Sequence, residues 1–164
     1  MSFASVFDFS TNLAKLNLFF IFSFLWALLF LVINFTVYPE KKFKNLSKKS
    51  ADDIRNRMVS IIHGLTSFIL TLYHLIVERP EYGMNISDTQ HFIIIFSSSY
   101  FFYDSLACGY YGLVDFALVL HHGLVIFGYF CDEFYGLGGT ETLCKPFFFS
   151  LVFKFTVIFK HKLA

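Results

Sequence analysis

The chain has 164 residues and a formal net charge of +1, with 56% hydrophobic and only 15% charged residues. Soluble domains carry about a quarter charged residues, so a water-soluble fold of this size would leave a large, aggregation-prone apolar surface in solvent. Length leaves room for one membrane domain and excludes a sizeable soluble domain beside it. The expected fold class is therefore all-α, a polytopic transmembrane helical bundle of about five spans.

Residues 1–15 read as an N-terminal tail. Residues 16–37 form an apolar run without a charge, long enough at 1.5 Å per residue to cross the ~30 Å hydrocarbon core. The run is too long for the apolar region of a signal peptide and no small-residue cleavage site follows, so it reads as an uncleaved anchor. Pro39 ends it. Residues 39–57 then hold seven of the 13 basic residues: Lys41, Lys42, Lys44, Lys48, Lys49, Arg55 and Arg57. Under the positive-inside rule this loop is cytoplasmic, a solvated segment that also touches anionic headgroups. The basic side chains flank spans instead of alternating with exposed aromatics, so no nucleic-acid partner is expected.

A second span covers about residues 58–77. The following loop, residues 78–90, carries three acids and one base, as a lumenal or extracellular loop would. Its Asn85-Ile86-Ser87 sequon lies close to the membrane. A third span covers about residues 91–108, and Gly109-Tyr110-Tyr111-Gly112 turns the chain into a fourth at about 113–130. The loop after it holds Asp132, Glu133 and Glu141. The last apolar run, residues 147–159, is short for a full crossing and would have to tilt or thin the bilayer. Lys160 and Lys162 fit a cytoplasmic C-terminus. Cys108, Cys131 and Cys144 form neither a metal-ligand spacing nor a disulfide framework. They read as unpaired small hydrophobes, although Cys131 and Cys144 could pair in an oxidising loop.

Polar side chains inside spans carry the functional information, because hydrocarbon cannot hydrogen-bond them. On the second span Ser60, His63, Gly64, Ser67, Thr71 and His74 recur at steps of three and four. At about 100° per residue they form one stripe opposite a face of Ile, Leu and Phe. The third span repeats the pattern with Ser97, Tyr100, Asp104, Cys108 and Tyr111. On the fourth, Asp115, His122 and Tyr129 share a face, with His121 turned about 100° from His122. Together these stripes are expected to outline a cavity lined by Ser60, His63, Ser67, His74, Tyr100, Asp104, Asp115 and His122. The same small and polar residues also suit helix-to-helix packing, at ~0.6 kcal/mol per hydrogen bond.

Histidine beside a carboxylate suits acid–base chemistry or a metal. The chain has six histidines in all and no HxxHH box, which excludes a di-iron desaturase or hydroxylase. A zinc site from His63, His122 and Asp104 has no diagnostic spacing, so neither a metal nor a cofactor is expected.

Three segments resemble the TLC domain family, which includes the ceramide synthases. Arg57-Met58-Val59-Ser60-Ile61-Ile62-His63-Gly64 is similar to the family's Arg-x-Val-Ser-x-x-His opening, and Tyr100-Phe101-Phe102-Tyr103-Asp104 to its aromatic helix ending in Asp. Leu120-His121-His122, with Gly139-Thr140-Glu141 downstream, is similar to the His-His helix of a small subgroup. Order and spacing agree over about residues 16–141. The resemblance implies a lipid-related role in endomembranes, such as the endoplasmic reticulum, or in the plasma membrane. The His-Asp motif that follows the His-His pair in ceramide synthases has no counterpart after Glu141, and the chain stops short of a usual TLC domain. It reads as truncated at its C-terminus. The leading expectation is a protein that binds membrane lipids or influences lipid composition without catalysis. One alternative is an acyltransferase acting on a lipid amine, with His121, His122 and Asp104 as catalytic candidates. Another is an assembly partner of a second membrane protein, or a homo-oligomer.

Overall fold

The computed structural model describes residues 7–37, 46–78 and 86–135. The expected span at 147–159, the Gly139-Thr140-Glu141 loop, Cys144 and residues 39–45 of the basic loop lie outside the described residues. Within them the chain is helical with no strand, in four helices.

Helix α1 (Asn12–Val32) begins inside the expected tail, because the Thr11 side chain caps it by accepting from the Ala14 N–H. The preceding residues also belong to the fold: Phe9 is buried, and the Phe7 ring packs on Phe22 and Phe92. A π-helical turn, Ile33–Val37, extends α1.

Helix α2 (Lys48–Tyr73) starts ten residues before the expected edge of the second span, and this corrects the reading of 39–57 as loop throughout. Ser47 caps it by accepting from the Ser50 N–H. The charged first turns stay helical because Asp52 pairs with Arg55 at 2.9 Å and Asp53 with Arg57 at 2.8 Å, both at spacings that face each other on a helix. A π-helical turn, His74–Glu78, closes α2.

Helix α3 (Asp88–Tyr110) opens with a capping box between Ser87 and Gln90. At its end the chain turns through Gly112, whose φ of 64° lies in the left-handed region. A Cβ there would meet nothing within 4 Å, so the glycine is required by conformation and not by space. Gly112→Ala should destabilise the bundle by about 1–2 kcal/mol, the cost of a left-handed L-residue, read as a lower melting temperature in detergent. Asp115 then caps helix α4 (Phe116–Tyr135), its carboxylate accepting from the Leu118 N–H at 2.7 Å.

Three helical stretches, Asn12–Thr36, Lys48–Glu78 and Asp88–Tyr110, are long and apolar enough to cross a bilayer, and α4 contributes a shorter apolar stretch, Phe116–Cys131. Helix α3 stands in the middle and packs on α1, α2 and α4. It is consequently buried around most of its circumference, with consecutive runs Ile93-Ile94-Ile95 and Ser97-Ser98-Ser99 all inside. This differs from the single inward stripe expected of the third span. The serines let neighbouring backbones approach: Ser23 of α1 shares its hydroxyl proton between the Phe19 carbonyl of its own helix at 2.8 Å and the Ser99 carbonyl at 3.3 Å, and the Trp26 indole donates to the Phe96 carbonyl at 3.4 Å. The outer faces are apolar and exposed, including Phe20, Phe24 and Leu28 on α1, Ile61, Leu65 and Ile69 on α2, and Leu124 and Phe127 on α4. Lipid solvates such faces at no cost, whereas water would not.

Candidate functional site

Three polar clusters lie along the bundle. The first is centred on Asp104 of α3, near the end where α2 begins. Its Oδ1 accepts from Asn56 Nδ2 of α2 at 2.5 Å, and its Oδ2 lies 3.3 Å from His122 Nε2 of α4. The Tyr103 hydroxyl donates to Asn56 Oδ1 at 3.2 Å, and Cys108 Sγ lies 3.9 Å from Asp104 Oδ1. His122 Nδ1 faces Ser105 Oγ at 3.0 Å. Ser105 spends its one proton on the Phe101 carbonyl at 2.7 Å, so it accepts from His122 and Nδ1 carries a hydrogen. The contact between His122 Nε2 and Asp104 therefore holds one shared proton, as an imidazolium–carboxylate or a neutral pair. Asn56, Asp104 and His122 are all buried, and the chain of bonds ties α2, α3 and α4 together.

The second cluster occupies the middle. The His63 ring stacks on Tyr100 with centroids 3.9 Å apart and planes 10° from parallel, while Trp26 of α1 meets both edge-on. His63 Nε2 lies 3.0 Å from Ser67 Oγ, which lies 3.2 Å from Ser97 Oγ. The Tyr100 hydroxyl shares a short hydrogen bond with Ser60.

The third cluster sits at the opposite end. His74 Nδ1 lies 2.9 Å from Glu78, whose carboxylate also accepts from Ser87 and Thr89. Beside it, Glu133 Oε1 of α4 lies 2.9 Å from Lys15 Nζ of α1 and 2.8 Å from His91 Nδ1 of α3. Lys15 and Glu133 close one end of a cavity of about 190 Å³ between α1, α3 and α4, whose walls include Leu16, Phe19, Ile95, Ile126 and Phe130.

The TLC domain model matches residues 53–140, just over half of the chain, from the second turn of α2 to beyond α4. The chain belongs to the TLC domain family. With its long apolar helices, it is an integral membrane protein of that family. Neither the curated proteins nor the solved structures gave a match.

Within this TLC domain, the structure brings together most of the residues singled out from the sequence and separates three. Ser60, His63, Ser67 and Tyr100 form the middle cluster, and Asp104 and His122 the first. His74 is buried apart from them, beside Glu78. Asp115 departs from the expected cavity lining: it is exposed, because capping α4 holds it in the turn before the helix. His121 is half-buried, its ring edge-on to Phe101 at 5.9 Å and tilted against His122 at 5.6 Å. The two inner clusters are packed side chain on side chain, and the cavity lies along α1, which the three polar stripes did not include. Among the described residues no three His, Cys, Asp or Glu side chains are grouped to hold a metal.

Sequence reasoning missed Asn56, Lys15, His91 and Glu133. The charged neighbours of Asn56 marked it as solvated, Lys15 carried its own charge at the end of the expected tail, and Glu133 stands past the apolar run of its helix. A helix carried through the charges would have found Asn56, since Asn56, Ser60, His63 and Ser67 continue one face.

Proposed function

We propose that this TLC domain protein binds membrane lipids, or adjusts the lipid composition around it, without covalent chemistry. One observation carries this reading: the apolar cavity between α1, α3 and α4, walled by Leu16, Phe19, Ile95, Ile126 and Phe130 and ended by the Lys15–Glu133 pair. Apolar walls with a few convergent polar groups are the general form of a small-molecule site, and here the walls suit an acyl chain and the charged end a headgroup. The positive-inside rule puts the basic start of α2 in the cytoplasm and the Glu133 end on the lumenal or extracellular side.

The test is native mass spectrometry of the full chain from nanodiscs of mixed lipids. Retained lipid should be enriched over the bulk composition. Ile126→Trp, which fills the cavity from a half-buried position, should remove that enrichment while the melting temperature stays within a few degrees of the parent's. Equal enrichment in parent and variant would refute the reading.

The His122–Asp104 contact at 3.3 Å favours a second reading, an acyltransferase acting on a lipid amine. It predicts acyl-CoA-dependent amide formation by the folded chain that vanishes in His122→Ala. Absence of turnover in the folded parent would dispose of it.

A further inference from the structure

We propose that the cavity takes a neutral single-chain lipid with a hydroxyl headgroup, of the monoacylglycerol or long-chain alcohol class, recognised by Glu133; this rests on the lipid-binding reading above. The first ground is an unmet acceptor. Glu133 is 8% exposed, and while its Oε1 lies beside Lys15 and His91, its Oε2 has no hydrogen-bond partner among the described residues. A buried carboxylate oxygen without a donor is costly, and a ligand that brings one gains what the fold forgoes.

Charge decides which donor. The Lys15 ammonium and the Glu133 carboxylate, 2.9 Å apart, cancel, and His91 adds nothing while neutral. A long-chain amine would place a second cation beside Lys15, and a fatty acid a second anion beside Glu133. Either leaves an uncompensated charge in a low-dielectric site. A hydroxyl adds none. Its hydrogen goes to Glu133 Oε2, and its oxygen can accept from Lys15, an ammonium with three N–H groups.

Size restricts the rest of the molecule. The cavity of about 190 Å³ is below the roughly 300–1,000 Å³ of pockets that enclose a whole drug-sized ligand, enough for the headgroup end of one chain and too little for two. Along α4 it runs from Ile126 to Glu133, about 10 Å at the helical rise. Leu16 and Phe130 on its rim are 44% and 50% exposed, so the remainder of the chain can leave sideways into the bilayer.

The experiment uses the full chain in phosphatidylcholine nanodiscs with three photoactivatable probes of equal chain length: a monoacylglycerol, a fatty acid and an alkylamine. Crosslinks are mapped by peptide mass spectrometry. The monoacylglycerol should label peptides containing Phe19, Ile126 or Phe130 about tenfold more than either charged probe, the ratio given by one hydrogen bond to a charged group. In Glu133→Gln, Lys15 loses its counter-charge, so labelling should invert in favour of the fatty acid, a gain that an unfolded chain would not show. Preference for the amine or the acid in the parent, or no inversion in the variant, overturns the headgroup assignment and leaves lipid binding standing. No labelling of the cavity by any probe in the folded parent overturns both.

Discussion

Asp104→Ala should cost the bundle about 3–5 kcal/mol, the usual result of removing one partner from a buried charged pair. The carboxylate sits between three helices and is 4% exposed. Its loss strands the Asn56 amide, which donates to Oδ1 at 2.5 Å, and His122 Nε2, 3.3 Å from Oδ2. Neither can turn to water, and the Tyr103–Asn56 bond loses its anchor with them. Asp104→Asn is the informative control. Its amide oxygen can still accept from Asn56, and its NH₂ can donate to a neutral His122 that keeps its hydrogen on Nδ1. That variant should lose only ~1 kcal/mol. Denaturation in mixed micelles measures both, and a double-mutant cycle with Asn56→Ala isolates the coupling. A cost below ~1 kcal/mol for Asp104→Ala would show that the pair does not hold the helices, contrary to its burial.

How far this arrangement could be read beforehand depended on where each helix stood. Helix α2 has lipid on one side, so its polar stripe announced its buried face: His63, Ser67, Thr71 and His74 are inside, while Ile61, Leu65 and Ile69 are outside. Periodicity works there because two solvents, protein and lipid, meet on opposite faces. Helix α3 has protein on nearly all sides, and a helix buried all round has no face to announce. Asp104 and Tyr100 were visible as costly polar groups, yet the packing of Ile93, Ile94 and Ser99 against three neighbours was not. The ends were hidden by a different effect. Charges at Lys15, Asp52, Arg55 and Glu133 read as water-facing when taken singly. They are pairs, and a pair can be buried where one charge cannot. Asp115 erred in the other direction: its spacing matched His122, but a carboxylate just before a helix is drawn to the free N–H groups there.

Tyr100→Ala is the second large effect, at about 3–5 kcal/mol by analogy with aromatic truncations in well-packed cores. Burial alone does not hold this ring, because lipid is as apolar as any core and supplies no hydrophobic drive between helices. What holds Tyr100 is contact. Its side chain is fully buried, stacked 3.9 Å from the His63 ring and met edge-on by Trp26 at 5.4 Å and Phe101 at 5.3 Å. Each such aromatic pair contributes about 0.5–1.5 kcal/mol, and alanine forfeits all three at once along with the packing of a close-fitted void. Tyr100→Phe separates the ring from its hydroxyl. It keeps every stacking partner, loses the hydroxyl's hydrogen bonds to Ser60 and Asp104, and should cost about 1 kcal/mol, at ~0.6 kcal/mol for each hydrogen bond between membrane helices. A phenylalanine variant as damaged as the alanine one would place the stabilisation in the hydroxyl's bonds to Ser60 and Asp104. The expected wide gap places it in the aromatic stack that joins α1, α2 and α3, and makes His63 a packed core residue with its imidazole face covered.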